Sequence, residues 1–345
     1  MNDHKIQEDF FKLIQEVISN NPVIVIGSGA SVSYGIPSMW DLAETLKEYF
    51  KGSTFEDDKR TQVVAKFLKC LDEGMGLEDA LLEVKMPQDI EQIIAIEVWK
   101  KIACADRKVY DRFVQGEIIN LKSLFEYIVY YDSNKIVNII TTNYDKIAEY
   151  AAAQTDSYIN NGFTHGLKGR LKDNPIAVPR KREDDYTGVL NIIKVHGSLD
   201  WFKKDGITYC FPNTHIIPDN YQPCIITPGT NKYEKTQDEP YRQLLSLVDD
   251  MFSKATGFLC IGYGFNDSHV HPMLLKYAKT RKVKILIVTK DLTSSINQNI
   301  INHGYDYISI TSNGKDGTLF SRDKESFEVE NKKYWTIDGL EEIYR

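Results

Sequence analysis

Residues Pro22–Trp40 read PVIVIGSGASVSYGIPSMW, a stretch in which a short apolar run ends abruptly in small residues. Val23–Ile26 is an unbroken β-branched run, which is typical of a parallel strand buried on both faces. Gly27–Ser31 follows directly and predicts a turn whose backbone amides point outward. Such a turn, with the dipole of a following helix, can bind a pyrophosphate. The same turn is also compatible with tight packing alone, because short motifs of this kind recur by chance.

The composition indicates a globular protein of one to three domains. The chain has 345 residues, of which 42% are hydrophobic, and this is enough to bury at least one large core. A net charge of −7 argues against a general nucleic-acid or anionic-membrane surface. No apolar run approaches the roughly 18 residues that span a bilayer, and the start MNDHKIQEDF lacks the apolar region of a signal peptide. We therefore expect a cytoplasmic protein.

No metal site is predicted from the sequence. The five cysteines are scattered and include no CxxC pair, so we interpret them as small buried hydrophobic residues. Asp267, His269 and His271 alternate at a turn into a helix, where this spacing does not place all three on one face. Capping of the helix by Asp267 is therefore preferred over metal binding. The basic run Arg180–Arg182 is interpreted as a solvated turn rather than a nucleic-acid contact.

Further apolar runs resemble the first one, and each predicts a buried strand that ends in polar or glycine residues. They are Ile136–Thr141, Ile192–Val195, Phe258–Ile261 and Val283–Val288, with one more strand near Tyr307–Ile310. Helical patterns lie between most of them. The alternation predicts an α/β fold with a doubly wound, mostly parallel sheet.

The remaining segments predict the domain organisation. Ser38 and Asp41 have the spacing of a capping box, so a helix should start there. Residues 55–131 show helical periodicity without a long strand and predict an all-helical insertion, whereas residues 156–187 are rich in Gly, Asn, Pro and charge and predict a loop. We predict one domain over residues 1–310, which includes the insertion, followed by a C-terminal appendage over residues 311–345.

The polar signatures after the strands should meet at one edge of the sheet. In open α/β sheets, ligands bind beyond the carboxyl ends of the strands. The signatures are Gly27–Ser31, Thr142–Asp145, His196–Trp201, Gly262–Asp267 and Thr289–Asp291. We therefore expect them to converge on one crevice.

Four of these segments resemble sirtuins in order and spacing. GSGAS followed by YGIP resembles the phosphate-binding turn and cofactor loop, TNYD the Asn-x-Asp segment, VHGS the strand-end His-Gly, and GYGF the glycine turn near the adenosine ribose. TTNYD, KVHGSLDW and GYGFNDSHV look more like the sirtuin-like NAD hydrolases of bacterial antiphage defence, such as those paired with a HerA-type ATPase or found in Thoeris systems. The resemblance covers about residues 20–290 and implies a Rossmann-like sirtuin core.

Two departures distinguish the chain from the protein deacylases. The paired CxxC zinc module is missing, and Ser38-Met39-Trp40 stands where deacylases usually have Asp-Phe-Arg. The resemblance therefore implies an NAD glycohydrolase without zinc, which yields nicotinamide and ADP-ribose or a cyclic form. Two alternatives remain: an NAD-dependent protein deacylase, and a module that senses NAD or ADP-ribose without turnover.

The resemblance also assigns roles to single residues, with NAD as the substrate. Asn143 would orient water and the nicotinamide ribose, Asp145 would hold the carboxamide, and His196 would accept a proton; a neutral amide and an imidazole suit these tasks. The implied cofactor-binding residues are Gly27, Ser28, Gly29, Ala30, Ser31, Pro37, Thr142, Gly262, Tyr263, Gly264, Phe265 and Thr289. The alternatives are a helix N-cap for Asn143 and a strand-end histidine bonded to the backbone for His196, but the catalytic roles are preferred.

The implied activity carries an expectation about partners. An unregulated NAD hydrolase would harm its own cell, so we expect the chain to be held inactive by assembly into a homo-oligomer or by a partner. The family context suggests a HerA-type ring ATPase or a phage-derived trigger. We expect no membrane partner and no direct, sequence-specific nucleic-acid partner.

Overall fold

The computed structural model describes residues 2–55, 57–176, 186–229 and 238–345. The basic run Arg180–Arg182, predicted to be a solvated turn, lies outside these residues. No helix in the described ranges combines the length and the apolar character that a membrane crossing requires.

Helices and strands alternate along most of the chain. The α-helices are α1 (Asn2–Ser19), α2 (Met39–Lys51), α3 (Asp58–Asp72), α4 (Leu77–Glu83), α5 (Gln88–Val114), α6 (Leu121–Tyr131), α7 (Ile147–Ala153), α8 (Tyr241–Ser253), α9 (His271–Arg281), α10 (Ser294–Asn299) and α11 (Ile337–Tyr344). The strands are β1 (Val23–Ile26), β2 (Ile136–Thr141), β3 (Ser157–Asn160), β4 (Gly169–Arg170), β5 (Gly188–Lys194), β6 (Gly197–Lys204), β7 (Ile207–Cys210), β8 (Gln222–Ile225), β9 (Phe258–Ile261), β10 (Ile285–Val288), β11 (Tyr307–Ser312), β12 (Thr318–Arg322) and β13 (Glu325–Val329).

The described strands form a large sheet of nine strands and a small antiparallel sheet of four. The large sheet has the order β13-β12-β11-β10-β9-β1-β2-β5-β3, and all its pairs are parallel except the two that involve β12. The small sheet has the order β4-β7-β6-β8. The predicted doubly wound, mostly parallel α/β fold is therefore confirmed.

Strand β1 lies at the point where the winding of the sheet reverses. Ile24 is paired with Ile139 of β2 on one side and with Leu259 of β9 on the other. The chain first builds the sheet outward from β1 through β2, and only later returns to its other side with β9. Because the connections then lead away in opposite directions, a crevice opens beyond the carboxyl ends of β1 and β9. This is the usual ligand position in such sheets.

The central strands are apolar because both of their faces are covered. Every residue of β1 and of β9 is buried. On helix α1, Phe10, Ile14 and Val17 lie in the core cluster, and Leu13 packs against it. Removal of this much apolar surface from water, at about 25 cal/mol per Å², is the main favourable contribution to folding.

The predicted helical insertion is present as helices α3 to α6, and helix α2 before it begins with the predicted capping box. Ser38 Oγ accepts a hydrogen bond from the Asp41 amide, and the Asp41 carboxylate accepts one from the Ser38 amide in return. The insertion is tied to the small sheet by Trp99 of α5, whose indole N–H donates to the Leu199 carbonyl at 2.9 Å. The insertion therefore packs beside the carboxyl ends of the strands.

Two sequence predictions about the middle of the chain are wrong. Residues 156–187 were expected to be loop, but β3 lies within them and pairs with β5 at the edge of the large sheet. Its apolar content is low because it is an edge strand, so periodicity did not reveal it. The segment after His196 was expected to be only a strand-end signature, but β6 starts at Gly197 and leads into the small sheet.

The last 35 residues extend the large sheet instead of standing apart from it. Strands β12 and β13 add to β11, and Phe320 and Phe327 stack on each other with ring centroids 4.6 Å apart. Helix α11 packs on α1, where Gln15 Nε2 donates to the Ile343 carbonyl at 2.7 Å. The domain limit at residue 310 and the interpretation of these residues as a C-terminal appendage stay predictions.

The close approach of the first strand's turn to Gly262 gives a stability prediction. Gly262 has φ of +57°, and an added Cβ would lie 2.2 Å from the Ala30 nitrogen. We expect Gly262→Ala to lower the free energy of unfolding by more than about 2 kcal/mol in a denaturant titration, because both backbone strain and the clash must be relieved. Gly52→Ala is the matched control, since its Cβ would meet neighbours only at 3.7 Å or more. Equal unfolding midpoints for the two variants would contradict this account.

Candidate functional site

A cleft of about 360 Å³ opens beyond the carboxyl ends of β1, β2, β5, β9 and β10. Its volume lies within the range of small-molecule sites. The predicted site residues that line it are Gly27, Ser28, Gly29, Pro37, Thr142, Asn143, Asp145, His196, Gly262, Tyr263, Gly264 and Thr289. The structure therefore brings together all five strand-end signatures, as expected for the carboxyl edge of a parallel sheet.

Three predicted cofactor-binding residues lie behind the wall of the cleft. Ala30 is buried, and its amide donates to the Gly27 carbonyl at 3.1 Å. The Ser31 hydroxyl accepts a hydrogen bond from Asn143, and Phe265 is fully buried. The sequence predicted direct cofactor contact at these positions. In the structure their side chains lie behind the residues that line the cleft.

The amides of the Gly27–Ser31 turn do not point outward as predicted. The Gly27 amide donates to the Ile261 carbonyl and the Gly29 amide to the Gly262 carbonyl, each at 3.0 Å. The Ser31 amide donates to the Ser28 carbonyl, also at 3.0 Å. Among the described residues, the Ser28 amide alone in this turn has no hydrogen-bond acceptor. The turn therefore offers one free N–H group to a ligand, and its other amides attach it to the sheet.

Asn143 is held by its amide group in the wall of the cleft. Asn143 Nδ2 donates to the Gly27 carbonyl at 3.0 Å and to Ser31 Oγ at 3.1 Å. Both amide hydrogens are thus committed, and Oδ1 remains as the acceptor. The alternative interpretation of Asn143 as a helix N-cap is not supported, since α7 begins only at Ile147.

Asp145 is a buried carboxylic acid beside Asn143. Burial raises its pKa to about 6, because the charged form loses its hydration, and the nearby Lys194 ammonium only partly offsets this effect. One carboxylate oxygen accepts the Ile147 amide at 3.1 Å. Asp145 therefore titrates closer to neutral pH than an ordinary aspartate.

Buried ion pairs lie beneath these two residues. Burial disfavours the charge on Lys146, but the Asp200 carboxylate 2.7 Å away outweighs it and raises the Lys146 pKa. The Lys146 amide donates to Asp106 of α5 at 2.8 Å. The fully buried Lys194 contacts Glu149 at 3.2 Å and donates to the Asp145 carbonyl. The segment that carries Asn143 and Asp145 is thus fixed from below by charged groups, which need such partners when buried.

His196 lies in the cleft opposite the carboxyl group of Asp267, for which the sequence predicted only helix capping. Its Nε2 atom is 2.7 Å from Asp267 Oδ2, and both side chains are more than nine-tenths buried. The N–H direction is not aligned as in an ideal hydrogen bond, so the contact is a close polar contact between the imidazole ring and the carboxyl group. Asp267 Oδ1 meanwhile accepts the His269 and Val270 amides in the turn that precedes α9, whose N-cap residue is Val270.

Sequence reasoning missed part of the cleft lining. Thr293 lines it, and so do Asn266 and Asp267, which had been named only as part of the Gly262–Asp267 signature. Their place soon after the ends of β9 and β10 was a usable signal. Glu78 of α4 and Ile102 of α5 also line it. These two come from the insertion, where helical periodicity cannot indicate which residue faces a distant strand end.

The charged side chains that line the cleft are acidic. They are Glu78, Asp145 and Asp267, and the described lining contains no Lys or Arg. Trp201 is buried against Phe163 with ring centroids 4.7 Å apart and does not line the cleft. The cleft therefore favours a ligand group that carries positive charge near Asn143 and His196.

A comparison with protein-family models yields one match, to the model described as SIR2-like domain. Residues 137–305 match the SIR2-like domain. This range is just under half of the chain, and it includes Asn143, His196 and Asp267 but not the turn after β1. No curated protein matches the chain.

Solved structures similar to this chain include three Sir2 proteins. A Sir2 homologue in complex with NAD is 15% identical, with a TM-score of 0.45 over 82% of this chain and 84% of that chain. A mutant Sir2 homologue in complex with ADP-ribose is 14% identical, with a TM-score of 0.44 over 82% and 90%. Sir2Tm bound to a propionylated peptide is 12% identical, with a TM-score of 0.42 over 88% and 92%.

The buried carboxyl group of Asp145 gives a pH-dependent prediction. The folded-state pKa of Asp145 is about 6, above its ordinary value of 3.8, so the stability that the protonated form contributes is lost as pH rises from about 4 to about 6. Asp145→Asn has the same shape without the charge. We expect it to be more stable than wild type by up to about 3 kcal/mol at pH 8, and the difference should shrink as pH falls towards 4.

Chemical denaturation at several pH values measures this effect. Asp250→Asn is the control, because that carboxylate is half exposed and pairs on the surface with Lys254. Such a surface pair contributes little to stability. A constant difference between wild type and Asp145→Asn from pH 4.5 to pH 8 would show that Asp145 titrates normally.

Proposed function

We propose that the cleft binds NAD and hydrolyses its nicotinamide–ribose bond. The observation that carries the proposal is the meeting of Asn143, Asp145 and His196 with the glycine turns of β1 and β9 in one cleft. The match of residues 137–305 to the SIR2-like domain supports it independently, because it contains all three polar residues.

The glycine turns suit the dinucleotide part of NAD. Gly27 and Gly29 leave no room for a side chain, since an added Cβ would lie within 3.0 Å of the Gly262 carbonyl oxygen at both positions. The two glycine turns can therefore pack closely against each other, and both line the cleft. The free Ser28 amide and the Thr289 side chain are the polar groups that would contact the phosphates and the adenosine.

The acidic side of the cleft suits the nicotinamide end. The nicotinamide ring of NAD is positively charged, and the reaction passes through an oxocarbenium-like centre at the ribose. Asp145 places a carboxyl group beside Asn143, where such charge is favoured. Asp145 would also hold the carboxamide of the leaving group.

Asn143 and His196 would perform the proton and water steps. Asn143 Oδ1, left free by the two bonds of Nδ2, would accept a hydrogen bond from water or a ribose hydroxyl. The C–N bond breaks with its electron pair going to nicotinamide, and the water oxygen forms the new bond to the ribose carbon. His196 takes the proton that this water loses, which is the ordinary task of an imidazole base.

The protein would be a regulated effector that depletes NAD in antiphage defence. A hydrolase of this kind must be restrained in an uninfected cell, so we propose control by assembly of several copies or by a partner such as a HerA-type ring ATPase. The experiment below therefore measures turnover both alone and with candidate partners.

The decisive experiment incubates the purified protein with NAD and follows the products by chromatography. We expect nicotinamide and ADP-ribose, or its cyclic form, without any acyl-lysine peptide. Asn143→Ala and His196→Ala should each lower the rate at least about 100-fold, because each removes a group that acts at the reacting centre. His303→Ala, an exposed histidine outside the cleft, is the matched control and should leave the rate unchanged.

Each other outcome has a defined meaning. Release of nicotinamide only with an acyl-lysine peptide would indicate a deacylase, and tight NAD binding without product would indicate a sensing module. Equal rates for wild type, Asn143→Ala and His196→Ala would show that the reaction occurs elsewhere or in a contaminant.

A further inference from the structure

We propose that Asp267 is a positioning residue for His196, and that the two side chains act as one unit in the reaction. This inference rests on the proposed hydrolysis of NAD and extends it to a residue that the sequence assigned only to helix capping. The contact of 2.7 Å between His196 Nε2 and Asp267 Oδ2 joins the end of β5 to the turn after β9.

Asp267 is itself held rigidly. Its Oδ1 accepts the His269 amide at 2.9 Å and the Val270 amide at 2.8 Å. Its backbone carbonyl accepts the His271 amide at 3.3 Å and also contacts the His271 ring. These contacts fix one oxygen of the carboxylate by the backbone and direct the other towards His196. A catalytic side chain depends on such support from neighbouring groups.

The pairing defines which ring nitrogen of His196 can act. Asp267 faces Nε2, so the neutral imidazole carries its proton there and leaves Nδ1 as the acceptor. When Nδ1 takes a proton from water or a ribose hydroxyl, the adjacent carboxylate stabilises the imidazolium that forms. Asp267 acts through the histidine and does not itself bond to the reacting atoms.

A role in capping alone does not explain why a buried aspartate stands at position 267. A cap needs only one acceptor oxygen, and an asparagine would provide it equally well. Asp267 instead buries a charge with 6% of the residue exposed, which is unfavourable without a compensating partner. His196 lies at the position of that partner, and the two residues line the same cleft.

The test compares Asp267→Asn with wild type in NAD hydrolysis. The variant keeps the acceptor for the two backbone amides but presents an amide group to Nε2, which reverses the preferred proton position on the ring. We expect kcat to fall at least about 100-fold, while the Kd for NAD and the melting temperature stay near those of wild type. Asp306→Asn, an exposed carboxylate paired with Lys284, is the matched control and should leave all three unchanged.

A double-mutant cycle separates positioning from independent roles. In the His196→Ala background, Asp267→Asn should change the residual rate by less than about twofold, because the group through which it acts is gone. A kcat for Asp267→Asn within about threefold of wild type would overturn the inference. So would a loss in the His196→Ala background as large as that in wild type.

A measurement without turnover keeps the inference distinct from the proposed function. Nitrogen-15 NMR of the His196 ring should show the Nε2–H tautomer in wild type and a shift towards Nδ1–H in Asp267→Asn. A wild-type protein that releases no nicotinamide contradicts the proposed function alone, and the ring signals then decide the inference. Identical His196 signals in the two proteins would refute the pairing.

Discussion

The backbone contact between the turn after β1 and Gly262 after β9 is the constraint on which the site depends. The Gly29 amide donates to the Gly262 carbonyl, and any side chain at Gly27, Gly29 or Gly262 would meet opposing backbone within 3.0 Å. Because this contact spans the point where the sheet reverses its winding, it sets the distance between the two halves of the fold. Asn143 is attached to the same turn, because its side-chain amide donates a hydrogen bond to the Gly27 carbonyl. The cleft therefore depends on these three glycines, because none of the three positions has room for a side chain.

Charge is distributed unevenly around this contact. The segment with Asn143 and Asp145 lies over buried Lys146 and Lys194, each matched to an acidic partner, whereas the described charges that line the cleft itself are acidic. Buried ion pairs contribute little net stability but are strongly destabilising when one partner is removed, so they fix a geometry more than they strengthen a fold. Here they hold an amide and a carboxyl group at a strand end, and Asp106 extends this support into the helical insertion.

Much of the architecture was predictable because the central strands are buried on both faces. Runs such as VIVI and FLCI indicate that burial directly, and parallel strands place their carboxyl ends at one edge. The edge strand β3 lacked this signal, and the antiparallel strands β12 and β13 are too polar to show it. Within the site, sequence placed Asn143 and His196 in the cleft but not the Asp267–His196 contact, since pairing across β5 and β9 is a property of the sheet and not of local spacing. The sequence also predicted that the amides of Gly27–Ser31 point outward. In the structure the Gly27 and Gly29 amides instead donate to carbonyls at the end of β9 and just after it.

The strand order has a consequence for biosynthesis. Strands β9 to β13 are neighbours both along the chain and in the sheet, whereas β9 pairs with β1, from which strands β2 to β8 separate it along the chain. The cleft is lined both by Gly27, which follows β1, and by Thr289, which follows β10. A nascent chain on the ribosome therefore has no complete cleft until β10 and Thr289 have emerged.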